Sequence, residues 1–279
     1  MKNDAAPAAL VKRRARKDPV ALGLGIYVVL FMAFLLLPIV AVVVVSFSAS
    51  SFISFPIQEL TLRWYERIFE YKPFMNSLFV SLQIAVGSSL LGVILGVPAA
   101  LAVARSQSAW ASAVANVLLA PISIPAIVLG FSLLYFLSAL SFGISFLSLL
   151  ITHTVVAIPY IGRTALAVYR AAPPDHEEAA AILGASRWQT LRHITLPIIR
   201  PGIFAGALFA FLISLDNLPV SFFFGTANTN TLPVVMLSYM QNQFDPSIAA
   251  MSAVQMLIAV VMLLIVDAVY GIERIMTAV

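Results

Sequence analysis

The sequence has no cysteine and only three histidines among 279 residues. A disulfide framework, a thiolate nucleophile and a cysteine metal cluster are therefore excluded, and a histidine-built metal enzyme is disfavoured. Charge is scarce as well, with Asp, Glu, Lys and Arg making up 10% of the chain. No G-x-x-x-x-G-K-[ST] run occurs, so the phosphate loop that commonly holds ATP is missing. What the chain has instead is apolar surface: 61% hydrophobic residues and a mean hydropathy of +1.01. A water-soluble globule of this size does not bury that much, so the bilayer is the expected solvent.

About 20 apolar residues carry a helix across a hydrocarbon core. Runs of that length lie near 21–47, 75–104, 111–140, 144–169, 199–222 and 248–271. Six crossings put both termini on one side. Sorting the sixteen basic residues by alternate loop places thirteen on the side of the termini and three, Arg63, Arg67 and Lys72, on the other. The positive-inside rule then puts the termini and the 171–198 loop in the cytoplasm. The expected partition is a basic tail at 1–20, one membrane domain at 21–272 and a short tail at 273–279. The tail basics precede an apolar stretch longer than a signal peptide's, so the first run reads as a retained anchor. Gly92 with Gly96 and Gly202 with Gly206 form two G-x-x-x-G pairs that permit close helix approach, within the chain or at a subunit interface. Pro98, Pro121, Pro125 and Pro159 are expected to bend or interrupt their helices around a cavity. Neither a repeat of 20–50 residues nor an inverted pair of matching spans is visible.

The loop between the fourth and fifth spans carries its own folding signals. Pro173 and Pro174 stop the incoming span, Asp175 with Glu178 reads as a capping box, and Ala179–Leu183 favours helix. Gly184 supplies the left-handed turn. Ser186 with Gln189 caps a second short helix expected to finish before Pro197. From 171 to 200, Asp175, Glu177 and Glu178 balance Arg187, Arg192 and Arg200, so the hairpin has no surplus for nucleic acid. Its apolar Ala179, Ile182, Leu183, Trp188 and Leu191 beside an acidic tip suit a groove on another protein.

Glu178-Ala179-Ala180, Gly184 three residues on, then nine residues and Ile194-x-Leu196-Pro197, resembles the EAA loop of ABC-importer permeases at every defining position. The resemblance covers most of the chain. It implies an all-α membrane protein: six transmembrane helices in a type I, binding-protein-dependent importer permease bundle with a cytoplasmic coupling helix. Ser214-Leu215-Asp216-Asn217, then Val220-Ser221-Phe222-Phe223-Phe224, and Thr61-Leu62-Arg63-Trp64-Tyr65 resemble the spermidine/putrescine branch, in particular the second permease of its pair. That branch includes importers of other amines, amino acids and opines, and many of its members have an acid where Asn217 stands.

The resemblance implies that Glu177, Glu178, Ala179, Ala180, Ile182, Leu183, Gly184, Ala185 and Arg187 couple to an ATPase, and that Asp216, Asn217, Ser221 and Phe222 belong to the substrate path or gate. It implies a cytoplasmic ATPase dimer carrying ATP and Mg, a second homologous permease, a periplasmic substrate-binding protein and membrane lipid as partners. No cofactor, metal or catalytic residue is expected in this chain, and no nucleic acid. An ionisable side chain such as Asp216 is costly against lipid and is expected to face protein or water. Asp267 is expected to snorkel and His153 to be a hydrogen-bonded core residue. Two alternatives stay open: an ion-coupled secondary transporter using Asp216 or His153, and a membrane scaffold that recruits a cytoplasmic partner.

Overall fold

A computed structural model describes residues 19–270, apart from 55, 107 and 174. Of the expected tails, 273–279 lies outside the described residues, as does all of 1–20 except its last two positions. The described chain is helical, in the order α1 (Pro19–Val45), α2 (Arg63–Glu70), α3 (Lys72–Arg105), α4 (Ala109–Ser123), α5 (Ala126–Ala139), α6 (Phe146–Ala171), α7 (Asp175–Ile182), α8 (Arg187–Thr190), α9 (Leu196–Leu215), α10 (Leu218–Ser221), α11 (Leu232–Asn242) and α12 (Ser247–Tyr270). Five helical stretches among the described residues are long and apolar enough to cross a membrane, and six if α4 and α5 count as one broken span.

That break falls at Pro125, one of the prolines expected to bend or interrupt their helices. The pair bends by 111°. Pro125 lacks the amide that would continue α4, so the chain turns at Ile124 and restarts with Pro125 as the cap of α5. Pro98 and Pro159, by contrast, lie inside the unbroken α3 and α6. Their freed carbonyls do not end the helices, because packing from both sides holds the backbone in register.

The bundle is built around α6, with α3 packed on one side and α9 on the other. Val97, Leu101, Ala157, Ile161, Ala165, Ile199 and Ala210 form the buried cluster between them. Both glycine pairs sit at these contacts. A Cβ at Gly96 would lie 3.2 Å from the Ile158 carbonyl, and one at Gly92 2.7 Å from the Ile161 side chain. At Gly206 it would lie 2.7 Å from the Ile161 Cα, and at Gly202 2.8 Å from the Thr164 carbonyl. The pairs therefore serve packing within the chain. Lipid tails are as apolar as leucine and do not drive such helices together, so the attraction comes from this close backbone approach and from buried hydrogen bonds.

One end of the bundle is closed by a small packed unit in which α2 lies against α12. Trp64, Ile68, Phe74, Leu232, Tyr239 and Met251 form its core. The Trp64 indole donates to the Ser48 carbonyl at 2.6 Å and Arg63 to the Ala49 carbonyl at 2.7 Å, so the 61–65 segment anchors the connection from α1. Arg67 pairs with Asp245 at 3.3 Å. The opposite end carries α7 and α8.

A methyl group added at Gly206 would meet the Thr164 hydroxyl and the Ile161 backbone, whereas Gly23 in α1 has open space around it. Gly206→Ala is expected to destabilise the purified protein by about 1–3 kcal/mol through overpacking. Gly23→Ala is expected to leave the thermal unfolding midpoint unchanged or slightly raised.

Candidate functional site

The 171–198 loop folds as a helical hairpin whose turn is written in its residues. Gly184 has φ +80°. Beside it the Ala185 amide donates to the Ala180 carbonyl at 2.9 Å and the Gly184 amide to Ala181 at 3.0 Å, satisfying the last carbonyls of α7. The second helix opens on a complete capping box: the Gln189 amide donates to Ser186 Oγ and the Ser186 amide to Gln189 Oε1 at 2.7 Å. Two details differ from expectation. Asp175 is the first residue of α7 and adds its charge to the first turn, where it favours the helix dipole. And α8 does not finish before Pro197: it runs through a π-helical turn, Leu191–Thr195, straight into α9. In that wider turn the Leu196 amide reaches back to the Leu191 carbonyl, and the Pro197 ring, without a donor, fits where a regular α-turn would crowd it.

The hairpin has two faces. Ala180 is buried against the bundle. Ile182 and Leu183 are 86% and 87% exposed at the tip, Trp188 is also exposed, and Glu178, Ala179 and Arg187 share the open side. Ala185 is half-buried beside Gly184. Glu177, expected among the docking residues, points the other way. Its Oε1 accepts from Arg105 Nη2 at 2.7 Å and from Thr195 Oγ1 at 2.6 Å, and its Oε2 from the Tyr169 hydroxyl at 3.3 Å. Arg105 also donates to Thr195 Oγ1 at 2.8 Å and, through Nε, to the Tyr169 oxygen at 3.2 Å. Partial burial raises the Glu177 carboxyl, but the bonds from Thr195 and Arg105 outweigh it and hold the group below the usual carboxylate range. Arg105, Tyr169 and Thr195 were not expected here. The one signal was that Arg105 is the sole basic residue of its loop.

At the far end of α9 the helix stops at Asp216, and the chain re-enters helix at α10. Asp216 is exposed and lies on the wall shared by two cavities. One, of about 530 Å³, sits in the α4–α5 elbow and is lined by Pro121, Ile124, Tyr160 and Asn217 among others; the second, of about 600 Å³, is lined by Met236, Met240, Gln255 and Met256 among others. The other residues expected on the path are placed differently. Asn217 is buried and caps α10 by accepting from the Val220 amide, so its side chain is tied to the backbone. Ser221 faces away from both cavities, 3.0 Å from His153 Nε2. Phe222 lies on a third hollow with Tyr71 and Asn230. His153, 1% exposed, is held at Nδ1 by Ser214 Oγ at 2.7 Å, and Ser88 donates to that same oxygen at 3.2 Å. Asp267 is exposed near the end of α12. Among the described residues no cluster of His, Cys, Asp or Glu has the arrangement of a metal site.

The described residues thus form a broken-helix bundle with cavities at one end and a protruding, partly apolar hairpin at the other. Residues 92–272 match the family described as binding-protein-dependent transport system inner membrane component, and the chain belongs to that family. The spermidine/putrescine transport system permease protein PotC of Haemophilus influenzae is 28% identical over 233 residues, 84% of this chain and 90% of that protein. The molybdenum transport system permease protein ModB of Mycobacterium tuberculosis is 32% identical over 206 residues, 68% of this chain and 76% of that protein. Among solved structures, a bacterial ABC transporter involved in the import of the acidic polysaccharide alginate superposes with a TM-score of 0.67 at 17% identity, covering 90% of this chain and 94% of that one. The chain is thus an all-α, inner-membrane permease subunit of an ABC importer with the type I fold. These likenesses support the importer and give no support to the secondary transporter or the scaffold.

A carboxyl whose folded value is depressed contributes stability that is fully present above its unfolded value and is lost as pH falls through the folded one. Between neutral pH and the ordinary carboxylate range, amide exchange in α7, corrected for its intrinsic pH dependence, is expected to stay constant. It should accelerate only below that range. Glu177→Gln is expected to remove the acid step and leave α7 less protected at neutral pH.

Proposed function

We propose that this permease moves a small amine-bearing solute from periplasm to cytoplasm by alternating access, with α7 seated in a groove of a cytoplasmic ATPase. The observation that carries the reading is the hairpin tip: Ile182 and Leu183 stand almost fully in water, beside Glu178. Exposed apolar side chains on a short helix closed by a glycine turn are what a helix-in-groove contact uses. Burying each contributes about 1.5–3 kcal/mol. Glu178 then selects the partner by pairing with a basic residue. The distribution of basic residues puts the hairpin and both termini in the cytoplasm, around one membrane domain. ATP and Mg belong to the ATPase dimer, since this chain carries no phosphate loop. A second, related permease completes the pathway, and a periplasmic binding protein delivers the cargo.

The cargo of the relatives differs, from spermidine and putrescine to molybdenum, so kinship alone does not choose it. The sign of the site supports one class of cargo. Asp216 puts a carboxylate on both cavities, with the Gln255 amide 3.5 Å away, among walls that are otherwise largely apolar. Such a site favours a cationic amine with some apolar length over an anion.

Charge reversal in Glu178→Lys sets like charges against each other at the contact, a cost of several kcal/mol. Uptake by the variant is expected to fall to background, with normal amounts of folded permease in the membrane; undiminished uptake would overturn the docking role. Asp216→Asn is expected to raise the apparent KM for spermidine or putrescine uptake by roughly tenfold or more, the worth of one charge-assisted hydrogen bond. An unchanged KM would remove Asp216 from the path.

A further inference from the structure

We propose that Arg105 and Glu177 are the transmission joint of the permease: positioning residues that fasten the docking helix to the ends of three spans, so that a displacement of α7 reaches the bundle as one rigid movement. The inference rests on the docking role of α7. It concerns a different face of the hairpin, where Glu177 pairs with Arg105.

An eight-residue helix does not hold its shape or direction by itself. α7 ends at the Gly184 turn, where the backbone takes a positive φ and the helix direction is lost. Ala180 packs against the bundle, yet a methyl contact fixes a distance and leaves the helix free to slide. Glu177 supplies what the methyl cannot. Its two oxygens take directional bonds from Arg105 at the end of α3, Tyr169 near the end of α6, and Thr195 in the π-turn that opens onto α9. Those three helices are the ones locked together at the glycine contacts. Thr195 is buried and saturated, its hydroxyl accepting from Arg105 while donating to Glu177. The fork of Arg105 closes the ring by reaching Tyr169 as well. Charge-assisted bonds that share partners in this way resist rotation more than any one of them alone.

The absence of cysteine from these 279 residues makes the test direct, because an introduced cysteine is the only one among them. In the complex purified through this chain and placed in nanodiscs, Ala181→Cys reports the docking of α7 by crosslinking to the ATPase. In a separate background, Ala126→Cys in the elbow cavity reports access, read as the rate of modification by a water-soluble maleimide with and without a non-hydrolysable ATP analogue. In Arg105→Ala and in Glu177→Ala the crosslink is expected to persist, while the nucleotide-driven change in maleimide rate shrinks about three- to tenfold. The double variant is expected to shrink it no further, since the two act as one unit. Arg105→Lys, which keeps the charge but loses the fork, should fall between. The proposal is overturned if the cavity responds to nucleotide as in the parent, if the losses in the double variant multiply, or if the crosslink itself disappears in the single variants. Failure of the parent chain to crosslink at all would instead overturn the docking role of α7.

Discussion

The close approach of α3 and α9 to opposite sides of α6 is the constraint from which the other features follow. In a bilayer, helix association gains little from burying apolar side chains, so contact depends on how near the backbones come. Gly92, Gly96, Gly202 and Gly206 let them come within van der Waals range of Ile158, Ile161 and Thr164. Three long helices become one body. Because that body is stiff, whatever is attached to its ends is held at fixed separation, which makes a hydrogen-bonded node among Arg105, Tyr169 and Thr195 geometrically possible.

The remaining elements take the irregular backbone that this body excludes. The chain breaks at Ile124–Pro125 and again at Asp216–Asn217, and both breaks face the same cavity. Non-helical backbone at membrane depth survives only where protein or a wet cavity satisfies it. Asn217 meets part of that need by capping α10 from within, and the chain His153, Ser214, Ser88 and Ser221 meets the side-chain part by pairing polar groups across α3, α6, α9 and α10. Among the described residues, the single carboxylate lining these two cavities is Asp216. The permease thus has a packed three-helix centre, a protruding hairpin at one end and an interrupted, cavity-lining region at the other, an arrangement suited to a switch between two discrete packings.

The hairpin shows how far local signals reach. Its glycine turn and its Ser186–Gln189 cap were legible because each is settled by residues within five positions of one another. The continuation of α8 through Pro197 was not, because a proline read locally is a stop, and only the π-turn, supported by Thr195 against Glu177 and Arg105, lets the helix pass it. The different settings of Glu177 and Glu178 were not legible for a similar reason. Adjacent acids on a helix look alike in sequence, but they stand about 100° apart around its axis, so Glu178 is exposed while Glu177 pairs with Arg105.

Sequence by itself determined the solvent, the number and place of the apolar crossings, the side on which the basic residues gather, and the hairpin with its family motif. All of these depend on composition, on run length or on spacing along a single element. Tertiary structure alone decided that the third crossing turns at Ile124 and by 111°, that the glycine pairs pack within the chain, that Asn217 is a cap while Asp216 stands on the wall of both cavities, and that Glu177 closes on Arg105 from 72 positions away. Those outcomes depend on which helix lies next to which, and neighbours across a bundle leave no periodic trace in the strand of residues that supplies them.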